Sequence, residues 1–139
     1  MLLPKKVKFR KWQTGRENPK KVGFETRGTD LAFGSFGLKA LGAGRVKSNQ
    51  LEAARKVISR EASKTGKMWI RVFPDRPYTE KPAEVKMGKG KGDPVGYVTV
   101  IRAGRIIFEI DGVAEALARE ALRKAGTKLP VKTKVVART

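Results

Sequence analysis

The 139-residue chain contains no histidine and no cysteine. These absences exclude disulfide frameworks, zinc knuckles and thiol nucleophiles, and they remove the side chain most often used as general base or metal ligand. Aromatic residues are scarce at 7%, hydrophobic residues reach 40%, and 13 acidic residues stand against 32 Lys and Arg. A modest core beneath a large basic surface is expected, in one domain burying roughly two thirds of the surface its unfolded chain exposes. No apolar run approaches the ~20 residues needed to span a bilayer. Met1 to Lys6 passes into charge without the apolar core of a secretory signal. The composition reads as a soluble intracellular protein with no metal and no cofactor, and it disfavours most enzyme mechanisms.

What is present is positive charge, formally +19. Residues 1–28 hold nine Lys or Arg against two Asp or Glu, residues 29–66 seven against three, residues 67–95 seven against four, and residues 96–139 nine against four. A basic tail on a neutral domain would concentrate the excess. Here the folded body carries it too, at a cost in self-repulsion that a polyanion relieves. RNA or DNA is the obvious partner. An anionic membrane would call for a long amphipathic helix with cations on one face and large apolar residues on the other, and none is found.

Residues 1–28 read as an extended basic arm, with Lys5, Lys6, Lys8, Arg10, Lys11 and Arg16 interleaved with Phe9, Trp12 and Phe24, and residues 29–139 as one domain. In the free protein such an arm reads equally as a disordered, solvated tail; on nucleic acid it should order, its cations on phosphates and its aromatics on bases or against the domain edge. Leu31 to Phe33 and Phe36 to Leu41 read as strands around a tight turn. The spacing of Leu51, Ala54, Val57, Ile58, Ala62 and Thr65 predicts a helix over 49–65, capped by Ser48 or Asn49 with Glu52 completing a capping box, and stopped by Gly66. Its other faces carry Arg55, Lys56, Arg60 and Lys64, which are either a solvated surface or RNA contacts.

Lys67 to Phe73 alternates as a strand, and Pro74 ends it. Residues 74–95 show four prolines and no apolar pattern, so they read as a long functional loop. Tyr97 to Ile101 and Arg105 to Ile110 read as a hairpin about Gly104. A second helix is expected over 113–125, with Val113, Leu117, Ala121 and Leu122 in its core stripe, and Lys128 to Arg138 closes the chain as an extended basic strand.

The run Lys86-Met87-Gly88-Lys89-Gly90-Lys91-Gly92-Asp93 suggests a phosphate loop. The spacing does not fit a Walker motif, which requires Gly-Lys followed by Ser or Thr opening a helix, nor the dinucleotide fingerprint. Alternate glycines do allow close approach to nucleic acid, with the lysines on phosphates. Asp30, Asp75, Glu80, Glu84, Glu109 and Asp111 form no catalytic motif. They read as local charge balance or capping, Asp111 before the second helix being an example.

Met1-Leu2-Leu3-Pro4-Lys5-Lys6-Val7-Lys8-Phe9-Arg10-Lys11, Phe33-Gly34-Ser35-Phe36-Gly37-Leu38-Lys39-Ala40, Gln50-Leu51-Glu52-Ala53-Ala54-Arg55, Trp69-Ile70-Arg71-Val72-Phe73-Pro74-Asp75, Thr79-Glu80-Lys81-Pro82, the 87–92 run, Phe108-Glu109-Ile110-Asp111-Gly112-Val113 and Lys128-Leu129-Pro130-Val131-Lys132-Thr133-Lys134 resemble, in order, the bacterial large-subunit ribosomal protein family numbered sixteen. The resemblance covers nearly the whole chain. It implies a compact α+β fold, two helices packed on a mixed, mostly antiparallel sheet. It also implies a non-enzymatic, cytoplasmic constituent of the large ribosomal subunit, an organellar ribosome being the alternative.

The partners implied are 23S rRNA, neighbouring large-subunit proteins and tRNA at the aminoacyl site, with the peptidyl site a further candidate, together with a part in late subunit assembly. By matched position, Lys5, Lys6, Lys8, Arg10, Lys11, Arg16, Arg55 and Arg60 would bind rRNA. Lys86, Met87, Gly88, Lys89, Gly90, Lys91 and Gly92 would form a loop directed at tRNA and the peptidyl-transferase region. The chain departs from the family at Lys86, where arginine is usual and in some members hydroxylated, and at Gly96-Tyr97-Val98, which replaces an aromatic pair. Residues 17–25 match no pattern of the family. A free nucleic-acid chaperone or DNA-packaging protein and an enzyme acting on phosphates are the competing readings.

Overall fold

The computed structural model describes residues 2–12, 23–62, 65–80 and 90–138. Within them the elements run β1 (Phe36–Ala40), β2 (Gly44–Lys47), α1 (Ser48–Ala62), β3 (Lys67–Ile70), β4 (Arg76–Glu80), β5 (Asp93–Ile101), β6 (Ile106–Asp111), α2 (Glu115–Gly126) and β7 (Thr133–Ala137). The fold is α+β, with the two helices packed on antiparallel sheet as expected. The strands divide into a four-stranded sheet in the order β3-β6-β1-β7 and a three-stranded sheet in the order β2-β5-β4.

β6 sits inside the larger sheet, and residues 106–110 are all buried. A strand covered on both faces loses polar alternation, which explains the run Ile106-Ile107-Phe108. Full burial of Phe108 contributes about 1.5–3 kcal/mol. α1 buries Leu51, Ala54, Ile58 and Ala62, and α2 buries Ala118, Ala121, Leu122 and Ala125. Both stripes follow helical spacing, and their alanines let the two helices pack on each other.

The N-terminus of α1 is built differently from expectation. The backbone N–H of Lys47 donates to Gln50 Oε1 at 2.8 Å, so Gln50 supplies the reach-back of a capping box. The Ser48 hydroxyl instead donates to the Leu2 carbonyl at 2.6 Å, and Leu2 packs against the core. The helix ends at Ala62, so Thr65, expected in its stripe, lies outside it and is exposed. Lys64 lies outside the described residues.

Other expectations are corrected. Residues 31–33 are not a strand, because the Ala32, Phe33 and Gly34 amides turn to a side-chain carboxylate. The strand at Lys67 ends at Ile70. β5 and β6 are joined by the tight 102–105 turn, where Gly104 has φ +102°, but they enter different sheets and form no hairpin ladder. The stretch 74–95 is not all loop, since β4 and the start of β5 pair within it. Leu117, placed in the core stripe, is 37% exposed. Asp111 does not cap α2: its Oδ1 accepts from the Ser35 hydroxyl at 2.9 Å and from the Gly112 N–H at 2.8 Å.

Candidate nucleic-acid interface

In β1, Leu38 and Ala40 are buried in the core, so alternation turns Gly37 and Lys39 to the sheet's opposite face. Register then decides which residues share that face. Lys39 stands opposite Lys134 of β7, Gly37 opposite Glu109 of β6, and Glu109 opposite Trp69 of β3. Two lysines directly across a ladder repel. Neither has a carboxylate partner among the described residues. Lys39 also lines a cleft of about 390 Å³ with Phe24, which is 80% exposed, and Gly104. This end of the face therefore presents two cations beside an exposed aromatic ring, while its middle, at Gly37 and Glu109, is buried.

The centre of the face is organised from below by Glu109, whose side chain is fully buried. Its Oε1 accepts the N–H groups of Ala32, Phe33 and Gly34 at 2.9, 2.9 and 3.0 Å, and its Oε2 accepts from the Arg71 guanidinium. Burial alone would raise its pKa. The Gly34 N–H, the Arg71 guanidinium and the Phe33 and Ala32 amides outweigh that and hold it below the ordinary value of 4.5. Held this way, Phe33 stacks on Trp69 with centroids 5.8 Å apart, and the Arg71 guanidinium lies 5.1 Å from the Phe33 ring. Arg105 fastens the preceding chain by donating to the Arg27 carbonyl at 3.2 Å and the Arg71 carbonyl at 2.9 Å. Gly28, at φ +64°, leaves room for that guanidinium, since a Cβ there would lie 2.8 Å from Arg105 Cζ.

Of the arm residues, Lys5, Lys6, Lys8, Arg10 and Lys11 are exposed. Lys5, Lys6 and Arg10 have no partner among the described residues, whereas Lys8 lies 5.5 Å from the Phe9 ring. Arg16, Lys86, Met87, Gly88 and Lys89 lie outside the described residues. The end of the Gly/Lys run is described, and it meets the arm: Lys91 Nζ donates to the Trp12 carbonyl, and Lys11 Nζ donates to the Lys91 carbonyl at 3.4 Å. Arg76 of β4 lies 5.1 Å from the Trp12 ring. Thus Lys11 and Lys91, singled out for separate roles, fall in one cluster, with Gly90 and Gly92 beside it in sequence.

Arg55 and Arg60 stand roughly 140° apart around α1 at 100° per residue. Arg55 Nε donates to Glu52 Oε2 at 3.1 Å, and this hydrogen bond holds the Glu52 carboxyl below its ordinary pKa. Arg60 is exposed at the mouth of a cleft of about 280 Å³ lined also by Glu61, Lys124 and Lys128. Sequence reasoning missed Lys39, Lys67, Lys134, Phe33 and Trp69 as neighbours on one face. The signal for each half was present, as cations alternating with apolar residues in β1 and β7, but the pairing of distant strands was not.

No helix of the described residues is long and apolar enough to cross a membrane. The outer face and the arm thus offer cations for which the described residues supply no counterion, as does Arg60 of α1, and the face also carries the Phe33–Trp69 stack; a polyanion with bases would match both features. The family model described as ribosomal protein L16p/L10e matches residues 4–136, and the chain belongs to this family of structural constituents of the large ribosomal subunit.

Proposed function

We propose that the protein binds 23S rRNA through its arm, α1 and the outer face of its four-stranded sheet, supports tRNA at the aminoacyl site through the 86–92 loop, and completes late assembly of the subunit. The observation that carries the RNA reading is the Lys39–Lys134 register pair, because two like charges held directly opposite weaken a free sheet and favour a bound phosphate between or above them. The rRNA contacts assigned to Lys5, Lys6, Lys8, Arg10, Lys11, Arg16, Arg55 and Arg60 rest on the family match, together with the exposure of Lys5, Lys6, Lys8, Arg10, Lys11 and Arg60. The tRNA role of Lys86, Met87, Gly88, Lys89, Gly90, Lys91 and Gly92 rests on the family match and on the basic, side-chain-poor run itself.

Sedimentation of a native lysate through high salt tests the first part. The protein should stay with the large subunit, whereas a free chaperone would be stripped into the soluble fraction. For the second part, subunits carrying Lys86→Ala, Lys89→Ala and Lys91→Ala are compared with native subunits for protein occupancy and for aminoacyl-site tRNA affinity. Normal occupancy with normal tRNA affinity would remove the loop from tRNA support.

A further inference from the structure

We propose that the open face of the Phe33 ring is a stacking site for a single unpaired base of RNA. The inference rests on the RNA-binding reading above and names what this part of the surface takes. Phe33 is 55% exposed although one side of its ring is stacked on Trp69 at an interplanar angle of 19°. Exposed aromatics occur elsewhere on this surface, Phe24 being 80% exposed, but Phe33 is held in place. Its backbone N–H, with those of Ala32 and Gly34, is held by the buried Glu109 carboxylate, so ring and backbone are ordered before any partner arrives.

The surroundings select the occupant. Arg71 lies 5.1 Å from the Phe33 ring and Lys67 Nζ lies 5.4 Å from the Trp69 ring, so cations flank both members of the stack. Lys67 is exposed, and so is Arg27, whose carbonyl shares the Arg105 guanidinium with that of residue 71. An apolar protein surface would meet these cations unfavourably. A nucleotide supplies a flat π-face for the ring and a phosphate for Lys67, while Arg71 stays on Glu109. Bases paired in a duplex have no free face to offer, so the partner is single-stranded or a flipped-out nucleotide.

The test uses the full-length protein with two probes, a short single-stranded oligouridylate and an RNA duplex of equal length, titrated at several salt concentrations. The native protein should prefer the single strand. Phe33→Ala should weaken single-strand binding about tenfold, the loss of one base–aromatic stack, while duplex affinity and the salt slope stay unchanged because no charge is removed. Phe33→Tyr should restore binding. Phe33→Leu keeps apolar bulk without a ring and should behave like the alanine variant, which decides the matter even if Phe33→Ala folds poorly. Equal single-strand affinity in native and leucine variants would overturn the site, as would a parallel loss on both probes. Native protein that binds duplex but shows no single-strand preference would also sink the stacking site alone. Native protein that binds neither probe would sink the RNA reading with it.

Discussion

α1 and α2 carry the same charges, three cations and two carboxylates each, yet dispose them differently. In α2 every cation is paired: Arg119 with Glu115 at 3.0 Å, Arg123 with Glu120 at 2.6 Å, and Lys124 with Glu61 of α1 at 2.8 Å. In α1 only Arg55 forms an ion pair, and Lys56 and Arg60 form none among the described residues. Charge content therefore does not locate an interface. Pairing does, because a cation already satisfied by a carboxylate gains little from a phosphate. The same division runs through the larger sheet, where Arg71 is committed to Glu109 while Lys39 and Lys134 face each other.

The sharpest way to break this division is to remove a charge on its structural side. Glu109→Gln keeps the volume, but four donors converge on the two carboxylate oxygens, and a carboxamide leaves at least one donor facing an N–H. Removing one partner of a buried ion pair costs about 3–5 kcal/mol, and the exposure of Arg71, at 19%, places the expected loss toward the lower end. Denaturant unfolding checks it. A loss below ~1 kcal/mol would mean that the carboxylate is not what holds the 32–34 segment. The pH dependence has a definite sign. Because the folded pKa lies below 4.5, the contribution is fully present above that value and disappears as pH falls through the depressed folded value. Glu109→Gln should accordingly flatten the acid limb of the native stability curve.

A smaller effect, with opposite signs in two assays, is expected on the binding side. Lys134→Glu turns a repulsive register pair with Lys39 into an attractive one, which should stabilise the free protein by roughly 0.2–1 kcal/mol. The same change places a carboxylate against the proposed RNA surface and should reduce affinity for 23S fragments at least severalfold at low salt. Thermal melting and filter binding on one preparation read both. If stability falls, or if RNA affinity is unchanged, the outer face does not belong to the binding side.

How far the sequence discloses this arrangement depends on whether the signal is local. Both helices are legible from the spacing of Leu51, Ala54 and Ile58 and of Ala121 and Leu122, because helical periodicity is written over a few turns. β4 is hidden by Pro77, which reads as a strand breaker. It is tolerated because β4 is an edge of its sheet, where a missing N–H need leave no ladder partner unpaired. The 97–110 region imitates a hairpin because its turn chemistry is correct; that its two strands join different sheets is decided by tertiary packing. The arm cations are visible as composition. The Lys39–Lys134 pair, the Glu109 clamp and the Phe33–Trp69 stack are not, since each joins residues far apart in the chain, the first by strand register and the others by the packing of the 32–34 segment on the sheet.

The smallest expected effects compare the helices directly. Arg123 is held bidentately by Glu120, through 3.1 and 2.6 Å contacts, and both side chains are about half exposed or more. Exposed pairs of this kind add little stability, so Arg123→Ala should scarcely move the melting temperature. It should leave RNA affinity nearly unchanged too, because the cation lost was already answered by a carboxylate. Arg60→Ala should also leave stability alone, since Arg60 is exposed and the described residues give it no partner. It should differ on RNA, lowering the slope of log affinity against log salt by roughly 0.7–0.9, the release expected for one phosphate contact. Arg55 lies between the two cases. Its pairing with Glu52 predicts a smaller change of slope than Arg60, and the double Arg55→Ala, Arg60→Ala variant should be additive, given residues on different sides of the helix. Salt titrations of the single variants and the double variant against one 23S fragment order them. A slope for Arg123→Ala as reduced as that for Arg60→Ala would show that intramolecular pairing does not spare a cation for structure, and the contrast between the helices would lose its functional meaning.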